Sequence, residues 1–211
     1  MAGATAALNN EDLSFTPNTS EMSSCDKIII EKALSLTQDY ISFRLRSKFE
    51  QNKLQGLHRH FLIPPQSTNA STSTLRKLAT DTEAKYPDLF ESVCTKLDIT
   101  PASAHRTFVC VAKEIFQEET NWGRIVALYA FGGVVAHHFV ETQRPEMVQK
   151  IVEWTATFIA ENLLTWIKEN GGWDGFVAHF SDSSQSQTMW KSLFTVGSIC
   201  AAGLTLLALN K

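Results

Sequence analysis

The sequence predicts an all-α domain, a helical bundle of about eight helices around one central apolar helix, followed by a C-terminal transmembrane anchor. Three observations carry this expectation. Between Arg124 and Glu141 there is no Asp, Glu, Lys or Arg, so a helix over Asn121 to Val140 has no charged face to present to water. The flanking segments repeat apolar residues at helical spacing. Caps, prolines and glycines punctuate them where helices start and stop. A helix of that length spans about 30 Å, the width of a small domain or of a bilayer core. The surrounding amphipathic segments can enclose it, so it is expected as a buried core helix.

Residues 1–22 are small, polar and interrupted by Pro17, too poor in apolar side chains to fold alone, and are expected to be disordered. The helical domain is assigned to 23–188. Its first helix starts where Ser23 and Asp26 fit a capping box, and Ile30, Leu34, Ile41 and Leu45 carry the apolar face to about Phe49. A linker rich in Pro, Ser and Thr is expected over 64–74. The next apolar series is Leu75, Leu78, Thr82, Tyr86, Leu89 or Phe90, and Val93. Pro87 lies within it, removing a backbone donor and crowding the preceding turn, so a break is expected near Tyr86.

Thr100 followed by Pro101 reads as an N-cap with proline at the first helical position, opening a helix that Phe108, Val111, Ala112 and Ile115 carry to about Gln117. Asn121 then caps the central helix. Pro145 opens the next, whose stripe runs unbroken through Val148, Ile151, Val152, Thr155, Phe158, Ile159, Leu163 and Trp166 to a stop at Gly171 and Gly172. Trp173 to Phe180 makes a short further helix. The segment 189–211 is assigned to the anchor. Leu193 to Leu209 carries no charge, is flanked by Lys191 and Lys211, and gives about 25 Å of helix, near the lower limit for a span. A helix packed on the domain is the alternative.

Several functions are disfavoured by composition. A net charge of −3 without a Lys/Arg cluster argues against nucleic acid. Cys25, Cys94, Cys110 and Cys200 have neither metal-ligand spacing nor a paired framework, and the start of the chain has no basic region before a long apolar run. Reduced thiols in a chain facing the cytosol are expected. His137 and His138 are adjacent, point to different sides of a helix and do not chelate together. No nucleophile, base and orienting group stand in a recognisable pattern, and no glycine-rich phosphate loop is present. The protein is expected not to be an enzyme and to need no cofactor or metal.

The chemistry-bearing feature is the start of the central helix. Arg124 in the first turn opposes the helix dipole, and Gly123 beside it costs about 1 kcal/mol relative to alanine. Local stability selects neither. One reading is a receiving site, where a partner's carboxylate meets the guanidinium and Gly123 admits another backbone closely. The other is an internal ion pair between Arg124 and Glu114 or Glu118, with Gly123 relieving crowding beside Trp122.

The stretch Asn121–Gly133, NWGRIVALYAFGG, resembles the first homology motif of the Bcl-2 family of apoptosis regulators, and WIKENGGWDGFVAHF, Trp166–Phe180, resembles the second. DYISFRL, Asp39–Leu45, resembles the fourth. LRKLATDTEAKY, from Leu75, stands where the third (BH3) belongs, but Thr80 replaces the expected acidic residue, Asp81 comes one place late, and Thr82 replaces a large apolar residue. The resemblance implies a groove framed by Tyr86, Phe90, Val93, Val111, Glu114, Ile115, Asn121, Gly123, Arg124, Ala127 and Phe131. That groove would take an amphipathic BH3 helix. Its apolar anchors would fill pockets from Tyr86, Phe90, Val111, Ile115 and Phe131, and its aspartate would meet Arg124 and Asn121. The implied function is a pro-survival, anti-apoptotic regulator that binds BH3 helices of pro-apoptotic Bak/Bax-like and BH3-only proteins and restrains mitochondrial outer-membrane permeabilisation. The alternative is a Bak/Bax-like pro-apoptotic effector that oligomerises and permeabilises membranes. The implied location is the outer mitochondrial membrane, tail-anchored and facing the cytosol, with the endoplasmic reticulum or a partly cytosolic pool as alternatives.

Overall fold

The computed structural model describes residues 22–52 and 69–181, which form eight α-helices with no strand among them. They are α1 (Ser24–Asn52), α2 (Ala70–Lys85), α3 (Pro87–Lys96), α4 (Ala104–Ile115), α5 (Trp122–Glu141), α6 (Met147–Asn162), α7 (Leu164–Glu169) and α8 (Gly172–Ser181). The all-helical expectation holds. The segment 1–21, residues 64–68 of the expected linker and the tail from Leu193 to Leu209 lie outside the described residues.

The centre is α5. It is long and apolar enough to cross a membrane by length and composition, yet all its residues except His137, His138 and Glu141 are buried. Helices α1, α2, α3, α4 and α6 all pack on it. Each presents one apolar face, and because α5 has no polar face the neighbours must surround it to remove it from water.

The start of α1 is as expected, with the Asp26 amide donating to Ser23 Oγ at 3.2 Å. Residues 69–74 differ from the expected linker. Asn69 Oδ1 accepts from the Thr72 amide at 3.0 Å and from Thr72 Oγ1 at 2.9 Å, so a cap starts α2 inside the Ser/Thr-rich stretch, and Ser71 and Thr72 are buried. The break at Pro87 is present: Tyr86 ends α2 with φ −126° and ψ 56°, and α3 begins at the proline.

Helix α4 begins later than Thr100–Pro101 suggests. Thr100 and Ser103 exchange bonds, Ser103 Oγ accepting from the Thr100 amide at 3.0 Å, and this closes a turn ahead of the helix. The single helix expected from Pro145 to Trp166 is two, with the break at Leu163 (φ −121°). No proline or glycine marks it; Asn162 Nδ2 donates to the Phe158 carbonyl at 3.0 Å, a side-chain bond that competes with the helical ladder. Gly171 and Gly172 adopt φ +81° and +64°, the left-handed conformation that ends α7 and turns the chain into α8.

The two motifs meet in space. Trp122, at the start of α5, lies 4.9 Å from Trp166 and 5.4 Å from Phe176, ring centre to ring centre. Trp173 donates its indole NH to the Ile29 carbonyl of α1 at 2.9 Å. Aromatic rings from α5, α7 and α8 thus clamp the end of the central helix that carries Arg124.

Candidate functional site

Helices α3 and α4 both lie on α5 and make little contact with each other, leaving α5 as the floor between them. Here the expected site residues converge. Tyr86 stands at the α2–α3 break and Phe90 on α3, both half-buried, with Val93 buried behind them. Val111 and Glu114 are half-buried on α4 and Ile115 is buried at its end. From α5 come Gly123, Arg124, Ala127 and Phe131, all buried, and Phe131 stacks on Phe108 of α4 at 5.5 Å.

The α5 N-terminus shows what Arg124 holds within the chain. Asn121 Oδ1 accepts from the Arg124 amide at 2.9 Å and so caps the helix as expected. The guanidinium is 1% exposed. Its Nη1 donates to the Ile115 carbonyl at 2.7 Å, and its Nη2 meets Glu118 Oε2 at 2.7 Å. Ile115 ends α4, where last-turn carbonyls lack helical partners, so the arginine satisfies one of them. The internal pair is therefore formed, with Glu118 and not Glu114. Asn121 Nδ2 donates to Glu119 Oε1 at 2.7 Å. Both side chains assigned to a ligand carboxylate already hold an acid of the α4–α5 turn.

A second polar centre joins α1, α2 and α5, and although its members lie in the quoted motifs, the sequence reading gave them no common role. Arg44 of α1 pairs with Glu83 of α2 through Nε–Oε1 at 2.7 Å and Nη2–Oε2 at 2.8 Å, and its Nη1 donates to the Gly133 carbonyl of α5 at 3.1 Å. Tyr40 adds a bond to Glu83 Oε1 at 2.7 Å. Burial, and then the Glu83 charge, push the Tyr40 hydroxyl well above its ordinary pKa. Arg76 Nε of α2 meets Asp39 Oδ2 of α1 at 2.8 Å. Two ion-pair groups thus fasten α2 to α1. The available signal was the doublet Gly132–Gly133 in the first motif: a Cβ on Gly133 would lie 2.6 Å from Arg44 Cδ, so the glycine makes room for the arginine.

This centre lines a cavity of about 560 Å³ between α1, α2, α3 and α5. Of the expected site residues only Phe90 borders it, so this cavity and the expected groove are different places. Its rim carries Lys48, His137, Cys94 and Glu141. His137 is held below its ordinary pKa by burial first and by Arg44 next, against the opposing pull of Glu141, whose carboxylate is 3.3 Å away. Burial pushes the Cys94 thiol up to about 12, which keeps it a poor nucleophile. Among the described residues no group of His, Cys, Asp and Glu could hold a metal ion.

Comparison with known proteins agrees with this architecture. A family model for apoptosis regulator proteins of the Bcl-2 family matches residues 75–173. The chain is 32% identical over 190 residues to apoptosis regulator R1 of Xenopus laevis, covering 86% of this chain and 82% of that protein. Among solved structures it is similar to Trichoplax adhaerens trBcl-2L2 bound to trBak BH3, with a TM-score of 0.62 and 36% identity over 72% of this chain and 98% of that one. Chicken BOK follows at TM-score 0.61 and 26% identity, over 74% and 98%. The family model spans α2 through the start of α8, the helices that build and clamp the Arg124 end of α5, and the relatives extend the match over most of the chain. The chain belongs to the Bcl-2 family of apoptosis regulators.

Proposed function

We propose that this protein is a pro-survival member of its family, which binds amphipathic BH3 helices of pro-apoptotic relatives over α5, between α3 and α4, and so restrains permeabilisation of the mitochondrial outer membrane. The observation that carries the reading is the α5 N-terminus: a buried arginine fixed at the edge of an exposed turn, beside a line of apolar side chains from Ile115 to Phe131. A ligand helix lying there would place apolar anchors against Tyr86, Phe90, Val111, Ile115 and Phe131, and an acidic residue at Arg124 and Asn121. The Trichoplax relative was solved with a BH3 segment bound, which supports the same mode here. Most of the affinity would come from the apolar anchors, with the charge setting register.

The effector alternative requires α2 to leave the domain and enter a neighbour's groove. Two features of α2 favour the pro-survival reading. Thr80, exposed, holds the place of the acidic residue, and Thr82, buried, has its hydroxyl bonded to the Leu78 carbonyl at 2.7 Å instead of supplying an apolar anchor. Helix α2 is also tied to α1 through Asp39–Arg76 and Arg44–Glu83.

The test uses the full-length chain with liposomes and a Bak-like effector. The chain is expected to bind BH3 peptide and to suppress dye release by the effector. Val111→Arg, a change at a half-buried groove position, is expected to lose both effects. Dye release by the chain alone after peptide activation would replace this reading with the effector one. The tail at 193–209 is proposed to anchor the protein in the outer mitochondrial membrane; resistance to carbonate extraction, lost on deleting the tail, is the expected result.

A further inference from the structure

We propose that Glu118 is an internal substitute for the ligand's carboxylate, so that binding at the α5 N-terminus is an exchange of one acid for another. The proposal rests on the groove reading above and sharpens it. The Arg124 guanidinium is anchored from below by the Ile115 carbonyl and is 1% exposed, whereas the Glu118 side chain that covers it is 55% exposed. The cation is therefore fixed while the anion can turn into water without passing through the core. Glu118 follows the end of α4, between exposed Gln117 and exposed Glu119. Glu119 repeats the arrangement one residue on, with its carboxylate on Asn121 Nδ2 at 2.7 Å.

The consequence concerns selectivity. A ligand acid at this position gains a charge-assisted bond to Arg124 only by giving up an equivalent one between Arg124 and Glu118. Its net contribution is the difference, which is small. A neutral residue in the same register leaves Glu118 where it is. Glu118 thereby levels acidic and neutral helices and leaves the choice of partner to the apolar anchors. Removing its charge exposes a committed cation and makes the site selective for acidic helices.

The experiment measures binding of two peptides to the full-length chain: an amphipathic BH3 peptide with aspartate in register and the same peptide with asparagine there. For the wild-type chain the two affinities are expected to differ by less than about threefold, the scale of a partly exposed ion pair. Glu118→Gln is expected to tighten the aspartate peptide by about three- to thirtyfold, between the effects of an exposed and a buried charged hydrogen bond, and to leave the asparagine peptide unchanged. Glu161→Gln, which makes the same charge change on an exposed position of α6, controls for net charge and is expected to alter neither. Thermal unfolding of each variant separates lost binding from lost structure. An unchanged or weakened aspartate peptide with Glu118→Gln overturns the exchange, as does equal tightening of both peptides. If neither peptide binds any form of the chain, the groove reading itself fails.

Discussion

Gly133→Ala is the sharpest test of how α1 and α5 fit together. In an ordinary helix interior, replacing glycine by alanine stabilises by about 1 kcal/mol. Here the new Cβ would stand 2.6 Å from Arg44 Cδ and 2.9 Å from Tyr40 Cε1, closer than packed carbons approach. Neither atom is the free end of a side chain, because Arg44 is bound at its far end to Glu83 and Gly133, and Tyr40 to Glu83. Forcing a methyl group into such packing costs about 1 to 3 kcal/mol. Displacing Arg44 also strains or breaks a hydrogen bond to a charged group, about 1.5 to 3 kcal/mol. Setting the helix gain against these terms leaves a net destabilisation of about 1.5 to 5 kcal/mol. Urea unfolding of the full-length chain, followed by tryptophan fluorescence, reads this as a lower midpoint at unchanged slope. Gly132→Ala serves as comparison, since its Cβ would come tight against Thr155 Oγ1 at 3.0 Å and otherwise reach Ile151 and Phe108 at ordinary contact distance, and a smaller effect is expected. In an Arg44→Ala background the penalty at Gly133 should shrink. A Gly133→Ala protein as stable as the wild type would refute the argument.

Arg124→Ala is expected to destabilise the fold by about 1 to 4 kcal/mol, chiefly because the Ile115 carbonyl loses its donor, with the exposed partner Glu118 contributing little; denaturant titration of both Arg124→Ala and Arg124→Lys checks this, the lysine recovering part of the loss. Stability should fall as the medium is acidified below pH 6.5, because His137 is held below that ordinary value in the fold: the unfolded chain then binds more protons, and stability complete above 6.5 is lost as pH drops through the folded value. Unfolding midpoints across a pH series should be flatter for His137→Gln, though not flat, since burial shifts His179 in the same direction. Thiol labelling with peptide mapping should find Cys25 and Cys110, which are exposed, modified quickly, while Cys94, buried and pushed up to about 12, reacts only on unfolding.

What could be read from the sequence followed from local rules. The central helix was legible because a charge-free run of that length has few other fates, and the α2–α3 break because proline acts on its immediate neighbours. The errors arose where a side chain did something composition does not reveal. Asn69 turned a loop-like Ser/Thr run into a capped helix, Ser103 delayed α4, and Asn162 divided a continuous apolar stripe. The site was half legible. The cost of Gly123 and Arg124 drew attention to the start of α5, but the burial of Arg124 and its pairing with Glu118 depend on how the α4–α5 turn folds. The Arg44–Glu83–Gly133 centre was illegible because its members are far apart in sequence, 39 residues from Arg44 to Glu83 and 89 from Arg44 to Gly133.

That centre also fixes what losing the first helix would mean. Cleavage between α1 and the rest of the chain would not merely shorten the protein. It would leave Glu83 and Arg76 of α2 without their counter-ions and uncover a backbone carbonyl midway along α5. Such groups must reach water, so α2 would have to swing outward and the middle of α5 would be wetted. An N-terminal cut is thus transmitted to α2 and to the membrane-length helix at once, and a protease acting after α1 would change what the remaining domain exposes rather than how much of it survives.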